Sequence, residues 1–132
     1  MQFFRTVIRK IRKYRSVAAF SSGVIAYQRQ QYERAIALIN KSMMINTEET
    51  SPYRYSILGK SFFALKRNEE AVKMLSKAYE LYIDLGKFPS KVEAEEFKDF
   101  MTVYLQALKN SGMQDLVETC SKEASEFFKR AR

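Results

Sequence analysis

The chain has 132 residues, enough for a domain to bury a core without disulfide or metal staples. At 46% hydrophobic and 29% charged, with four Gly and two Pro, its composition excludes a disordered chain and favours good helix formers. The absence of His and the single Cys120 exclude a His-based catalytic or metal site and an internal disulfide. The net charge of +8 is concentrated, because residues 1–15 carry six basic side chains and no acidic one.

The first element in chain order is a basic amphipathic helix over 2–14. Phe4, Val7, Ile11, Tyr14 and Ala18 recur at spacings of three and four, one stripe of a helix, while Arg5, Arg9, Lys10, Arg12 and Lys13 take the opposite face. Such a helix suits three roles: a cap packed on the rest of the chain, a self-pairing surface, or a peripheral contact with an anionic membrane. Nucleic-acid binding has the charge but no accompanying recognition motif. Ser16, Ser21 and Ser22 beside this charge superficially resemble a transit peptide, but the repeat described next already begins near Ser16.

Six further helices are expected, at about 16–28, 31–46, 51–66, 68–85, 90–110 and 113–130. Ser51 precedes Pro52 as N-cap and first helical residue. Gly86-Lys87-Phe88-Pro89 is a stop, and Ser90 with Glu93 reads as a capping box. The last helix exposes Lys122, Glu123, Glu126, Lys129, Arg130 and Arg132, a polar end for a stack.

An internal repeat links these helices. Gly23 and Gly59 lie 36 residues apart. Twelve residues beyond each is an alanine, Ala35 and Ala71, followed by Ile36 or Val72, then Ile39 or Leu75, then Ser42 or Ala78. A glycine on one helix admits close approach of the next, and the aliphatic residues fill the remaining gap. Tyr55, Leu58, Gly59, Phe62, Ala71, Leu75 and Ala78 resemble the tetratricopeptide repeat motif. Ala19, Ser22, Gly23, Ala26, Ala35, Ile39 and Ser42 form a weaker copy, with its aromatic displaced to Tyr27. A third, degenerate copy places Met101, Tyr104, Leu105 and Leu108 on one helix and Val117, Ser121 and Ala124 on the next. There Leu105 replaces the packing glycine, so that pair is expected to sit further apart. The 46 residues from Gly59 to Leu105 leave about ten extra residues, which longer helices are expected to absorb by projecting beyond the stack.

The resemblance implies an all-α fold of stacked antiparallel helix pairs, a solenoid of seven helices counting the basic one. The implied domains are 1–15 for that helix and 16–132 for the repeats, at about 16–49, 52–85 and 98–130. It also implies a binding module for another protein or peptide, not an enzyme, with no cofactor and a cytoplasmic location, peripheral to a membrane if the basic helix docks there. By position in the family, the groove-lining residues are Phe20, Val24, Tyr27 and Gln28, then Tyr53, Ser56, Lys60, Phe63 and Ala64, then Thr102 and Gln106. These make an apolar, aromatic groove suited to an apolar anchor. The family's carboxylate clamp is not implied, because Phe20, Val24, Thr102 and Gln106 stand at its places. Within the residues themselves, the alternative is that the basic helix folds back and covers Phe20, Val24 and Tyr27. A second is a peripheral membrane or self-assembly scaffold, which would form homo-oligomers through the same helix. The acidic cluster Glu93, Glu95, Glu96 and Asp99 reads as a solvated face balanced by Lys91 and Lys98.

Overall fold

The computed structural model describes residues 2–47 and 51–131, and among them all regular structure is helical. Six helices follow in chain order: α1 (Gln2–Gln28), α2 (Tyr32–Ile45), α3 (Pro52–Ala64), α4 (Asn68–Leu85), α5 (Lys91–Asn110) and α6 (Gln114–Ala131). The chain divides into two compact units, Met1–Thr50 and Ser51–Arg132.

In the first unit α1 packs antiparallel to α2 through Ser16, Ala19, Gly23 and Ala26 on one side and Ala35, Ile36, Ile39 and Ser42 on the other. Small residues dominate this face, so the backbones come close. A methyl group built on Gly23 would lie 2.5 Å from Ile39 Cδ1. The separate helices expected at 2–14 and 16–28 are one helix, which brings the count to six among the described residues. No Gly or Pro stands near the expected break. Ser16, rather than starting a helix, is fully buried in the middle of one, and its hydroxyl donates to the Ser42 carbonyl at 2.8 Å. That carbonyl also accepts from the Asn46 N–H, so the Ser16 hydroxyl is a second donor that ties α1 to the last turn of α2. A continuous α1 also cannot fold back over its own second half, so that expected covering of Phe20, Val24 and Tyr27 does not occur.

In the second unit α3 packs on α4, α4 on α5 and α5 on α6. Ser51 caps α3 by accepting from the Tyr53 N–H, with Pro52 at the first position. Gly86, in the left-handed region at φ 76°, closes α4. Ser90 precedes α5, but its hydroxyl donates to the Glu93 carboxylate instead of accepting from the backbone, so the box is closed between side chains. Gly59 repeats the arrangement of Gly23: a Cβ there would lie 2.4 Å from Leu75 Cγ. In both pairs the residue filling the missing methyl's place stands sixteen positions after its glycine.

The turns repeat as well. α1 ends with Gln30 at φ 61°, α3 with Lys66 at φ 62° and α5 with Gly112 at φ 74°. Each left-handed residue carries the same two hydrogen bonds of a Schellman motif. Gln31 N–H donates to Ala26 O, Arg67 to Phe62 O and Met113 to Leu108 O, while Gln30, Lys66 and Gly112 donate to Tyr27, Phe63 and Lys109. These turns are spaced by 36 and 46 residues, the offsets of Gly23, Gly59 and Leu105.

The ten extra residues do not project bare. They build an aromatic cluster in which Tyr82 meets Phe97 and Phe100 at centroid distances of 5.1 and 5.0 Å. Phe88, from the loop after α4, meets Phe97 and Phe127, and its N–H donates to Ala131 O at the end of α6. Tyr82, Phe97, Phe100 and Phe127 are all fully buried here, and together they bury a large apolar area in the second unit. The exposed face of α6 carries Lys122, Glu123, Glu126, Lys129 and Arg130 as expected; Arg132 lies outside the described residues, as do Glu48 to Thr50.

Candidate functional site

In the first unit the expected groove residues form one face of α1. Phe20, Val24 and Tyr27 are half-buried and Gln28 is exposed, with Tyr27 edge-on to Tyr32 of α2 at 5.8 Å. The spacing 20, 24, 27 puts these side chains beside the glycine face, since residues four and three apart share one side of a helix. Partial burial leaves an aromatic and aliphatic surface that is held in place yet accessible.

In the second unit the α3 candidates separate into two kinds. Ser56 is buried and hydrogen-bonded to Tyr82, and Tyr53 packs edge-on against the same ring at 5.9 Å. Burial pushes the Tyr82 phenol well above its ordinary value, with Tyr53 and Glu96 adding to it. Lys60 is not a loose cation: its Nζ lies 2.7 Å from Asp99 Oδ2, with its own side chain 11% exposed and that of Asp99 71%. This pair ties α3 to α5. The acidic cluster is thus partly neutralised from two sides, since Lys98 also lies 3.5 Å from Glu95. Phe63 is half-buried, Ala64 exposed. On α5, Thr102 and Gln106 are exposed; Thr102 donates to the Lys98 carbonyl and Gln106 to Asn110.

A feature absent from the expected groove lies beside Thr102. An open cleft of about 460 Å³ separates α5 from α6, floored by Phe97, Met101, Leu105, Ala124 and Phe128, with Lys98 and Lys129 at its rim. Where α1 and α3 carry glycine, α5 carries Leu105, and its side chain lines this cleft. Lys98 Nζ sits 4.9 Å over the Phe128 ring, a cation–π contact that fixes one wall. An apolar cleft of this size with a basic rim can receive one or two apolar side chains of a partner.

The Cys120 thiol and its neighbouring phenols, Tyr79 and Tyr104, are favoured in their protonated forms. The Cys120 thiol is pushed up by burial and then by Glu123. Tyr79 is pushed far up by burial and by its hydrogen bond to Glu123, and Tyr104, hydrogen-bonded to Ser76, is raised mainly by burial. A protonated thiol and protonated phenols are weak nucleophiles and bases, so this cluster packs and donates hydrogen bonds. Among the described residues no group of three Cys, Asp or Glu side chains is placed to hold a metal ion.

The basic residues Arg5, Arg9, Lys10, Arg12 and Lys13 are all exposed on the first half of α1. No helix among the described residues is long and apolar enough to cross a membrane. In sequence comparisons no protein-family model and no curated protein matches the chain.

Proposed function

We propose that the chain is a non-catalytic helical-repeat module of tetratricopeptide type that holds a partner polypeptide through apolar anchors. The observation that carries this reading is the recurrence of one helix–turn–helix design. The same Schellman turn occurs at Gln30, Lys66 and Gly112, at the spacings of the sequence repeat. Gly23 against Ile39 and Gly59 against Leu75 repeat one close approach. A scaffold of repeated helix pairs has no built catalytic cavity of its own; it presents side chains in rows, and its use is recognition. The rows here are apolar and aromatic: Phe20, Val24 and Tyr27 on α1, Phe63 on α3, and the α5–α6 cleft around Leu105.

The partner is therefore an apolar or aromatic segment of polypeptide. Tyr27→Glu, Phe63→Glu and Leu105→Glu are each expected to abolish capture of that partner from native lysate while leaving the helical circular dichroism unchanged. Normal capture by all three variants refutes the reading.

A further inference from the structure

We infer that the first half of α1 is an interfacial anchor for an anionic lipid surface. The helix is 27 residues long and its partner α2 only 14, so about 20 Å of α1 extends past the pair at 1.5 Å per residue. Its buried residues begin at Ser16. Before that point Phe3, Phe4, Ile8, Ile11 and Tyr14 are all exposed, Phe3 at 75% and Tyr14 at 76%.

This apolar stripe is not an unfinished piece of the α2 interface. The residues that face α2 run 16, 19, 23, 26, alternating steps of three and four. Continued backwards, that line meets Arg12, Arg9 and Arg5. The apolar line runs 4, 7, 11, 14, 18 and returns at the exposed Ile25, and it lies about 120° round the helix from the α2 face at about 100° per residue. A longer α2 would bury arginines and leave Phe4 and Ile11 in water. The stripe has a separate purpose.

Its charge selects the occupant. Six basic residues share the segment with the stripe, most of them on the opposite face, and no acid occurs before Glu33. Two copies paired through the stripe would gather twelve positive charges in one pair of short helix segments, with no acid in either to offset them, and such a concentration of like charge opposes pairing. A nucleic acid would neutralise the charge but give the aliphatic side chains nowhere to go. An anionic bilayer meets both needs: headgroups take the Arg and Lys side chains, and Phe4, Ile11 and Tyr14 enter the boundary of the acyl chains.

The test uses full-length protein and two kinds of vesicle, phosphatidylcholine alone and phosphatidylcholine containing phosphatidylserine, in a flotation assay. Binding to the anionic vesicles is expected, weakening with salt, with little on the neutral ones. Arg9→Gln with Lys10→Gln and Lys13→Gln is expected to weaken it about a hundredfold, at about fivefold per charge near the surface. Phe4→Asp with Ile11→Asp is expected to weaken it at least about tenfold. All five sites are exposed, so circular dichroism is expected to stay unchanged. In Phe4→Trp, the only tryptophan of the chain reports insertion as a blue shift on anionic vesicles alone. Equal binding to both vesicles, or binding indifferent to Phe4→Asp with Ile11→Asp, overturns the proposal. So does a concentration-dependent dimer that those same substitutions dissolve in a protein that never floats with lipid.

Discussion

Gly59→Ala sets two opposed effects against each other, and the geometry decides between them. In an isolated helix the change is favourable by about 1 kcal/mol, because alanine restricts the unfolded chain and suits the helix. In α3 the new methyl would lie 2.4 and 2.5 Å from Leu75 Cγ and Cδ2 and 3.1 Å from the Leu75 backbone nitrogen. Leu75 is fully buried, so its side chain has no open space to swing into, and the backbone of α4 must retreat. Forcing a methyl into a close-packed interface costs about 1–3 kcal/mol. Subtracting the propensity gain leaves a net loss of up to about 2 kcal/mol. At Gly23 the closest atoms are Ile39 Cδ1 at 2.5 Å and Cγ1 at 2.9 Å, while the backbone nitrogen stands at an ordinary 3.4 Å. There the end of a side chain can yield, and Gly23→Ala is expected to cost less than Gly59→Ala, about 0–1 kcal/mol. Urea unfolding followed by circular dichroism measures both. Leu75→Ala completes a cycle: alone it is expected to cost about 2–5 kcal/mol, and in the Gly59→Ala background less by about 1–3 kcal/mol, because the new methyl occupies vacated room. A rise in the denaturation midpoint for Gly59→Ala, or strict additivity with Leu75→Ala, refutes the close-approach reasoning.

Gln30→Gly and Lys66→Gly relieve non-glycine residues from the left-handed region and are each expected to stabilise by about 0.5–1 kcal/mol, read as a higher urea midpoint; Gly112→Ala, at the equivalent turn, is expected to destabilise. Tyr82 has its pKa raised in the folded state by burial, so its contribution is complete below the unfolded value of 10.0 and is lost as pH rises above it. Stability is therefore expected to fall above pH 10, by about 1.4 kcal/mol per pH unit for each tyrosine still protonated in the fold, and Tyr82→Phe is expected to shallow that slope; an unchanged slope in thermal melts rules the assignment out. Asp99→Ala leaves the largely buried Lys60 without its ion pair, whereas Lys60→Met leaves only an exposed carboxylate, so the first is expected to cost more in urea unfolding.

The all-helical class, the ends of α3 and α4 and the pairing of Gly23 and Gly59 with residues further along were legible in the sequence. They rest on local chemistry: a serine before Pro52, a glycine after Leu85, and a spacing of small residues that only close helices require. The half-buried row of Phe20, Val24 and Tyr27 was legible for the same reason, since helical periodicity alone puts them on one side. Tertiary structure decided the rest. Ser16 stands at the expected start of a second helix, but its hydroxyl finds the Ser42 carbonyl 26 positions away, and α1 runs through. Ser56 and Lys60 share the spacing of a groove, yet Tyr82 and Asp99, from α4 and α5, claim them. Leu105 forecast a wider helix pair; that the gap would be floored by Met101 and Phe128 depended on how α6 leans on α5. Periodicity fixes which residues share a face of one helix, and which neighbour that face meets is settled only when side chains distant in sequence compete for the same space.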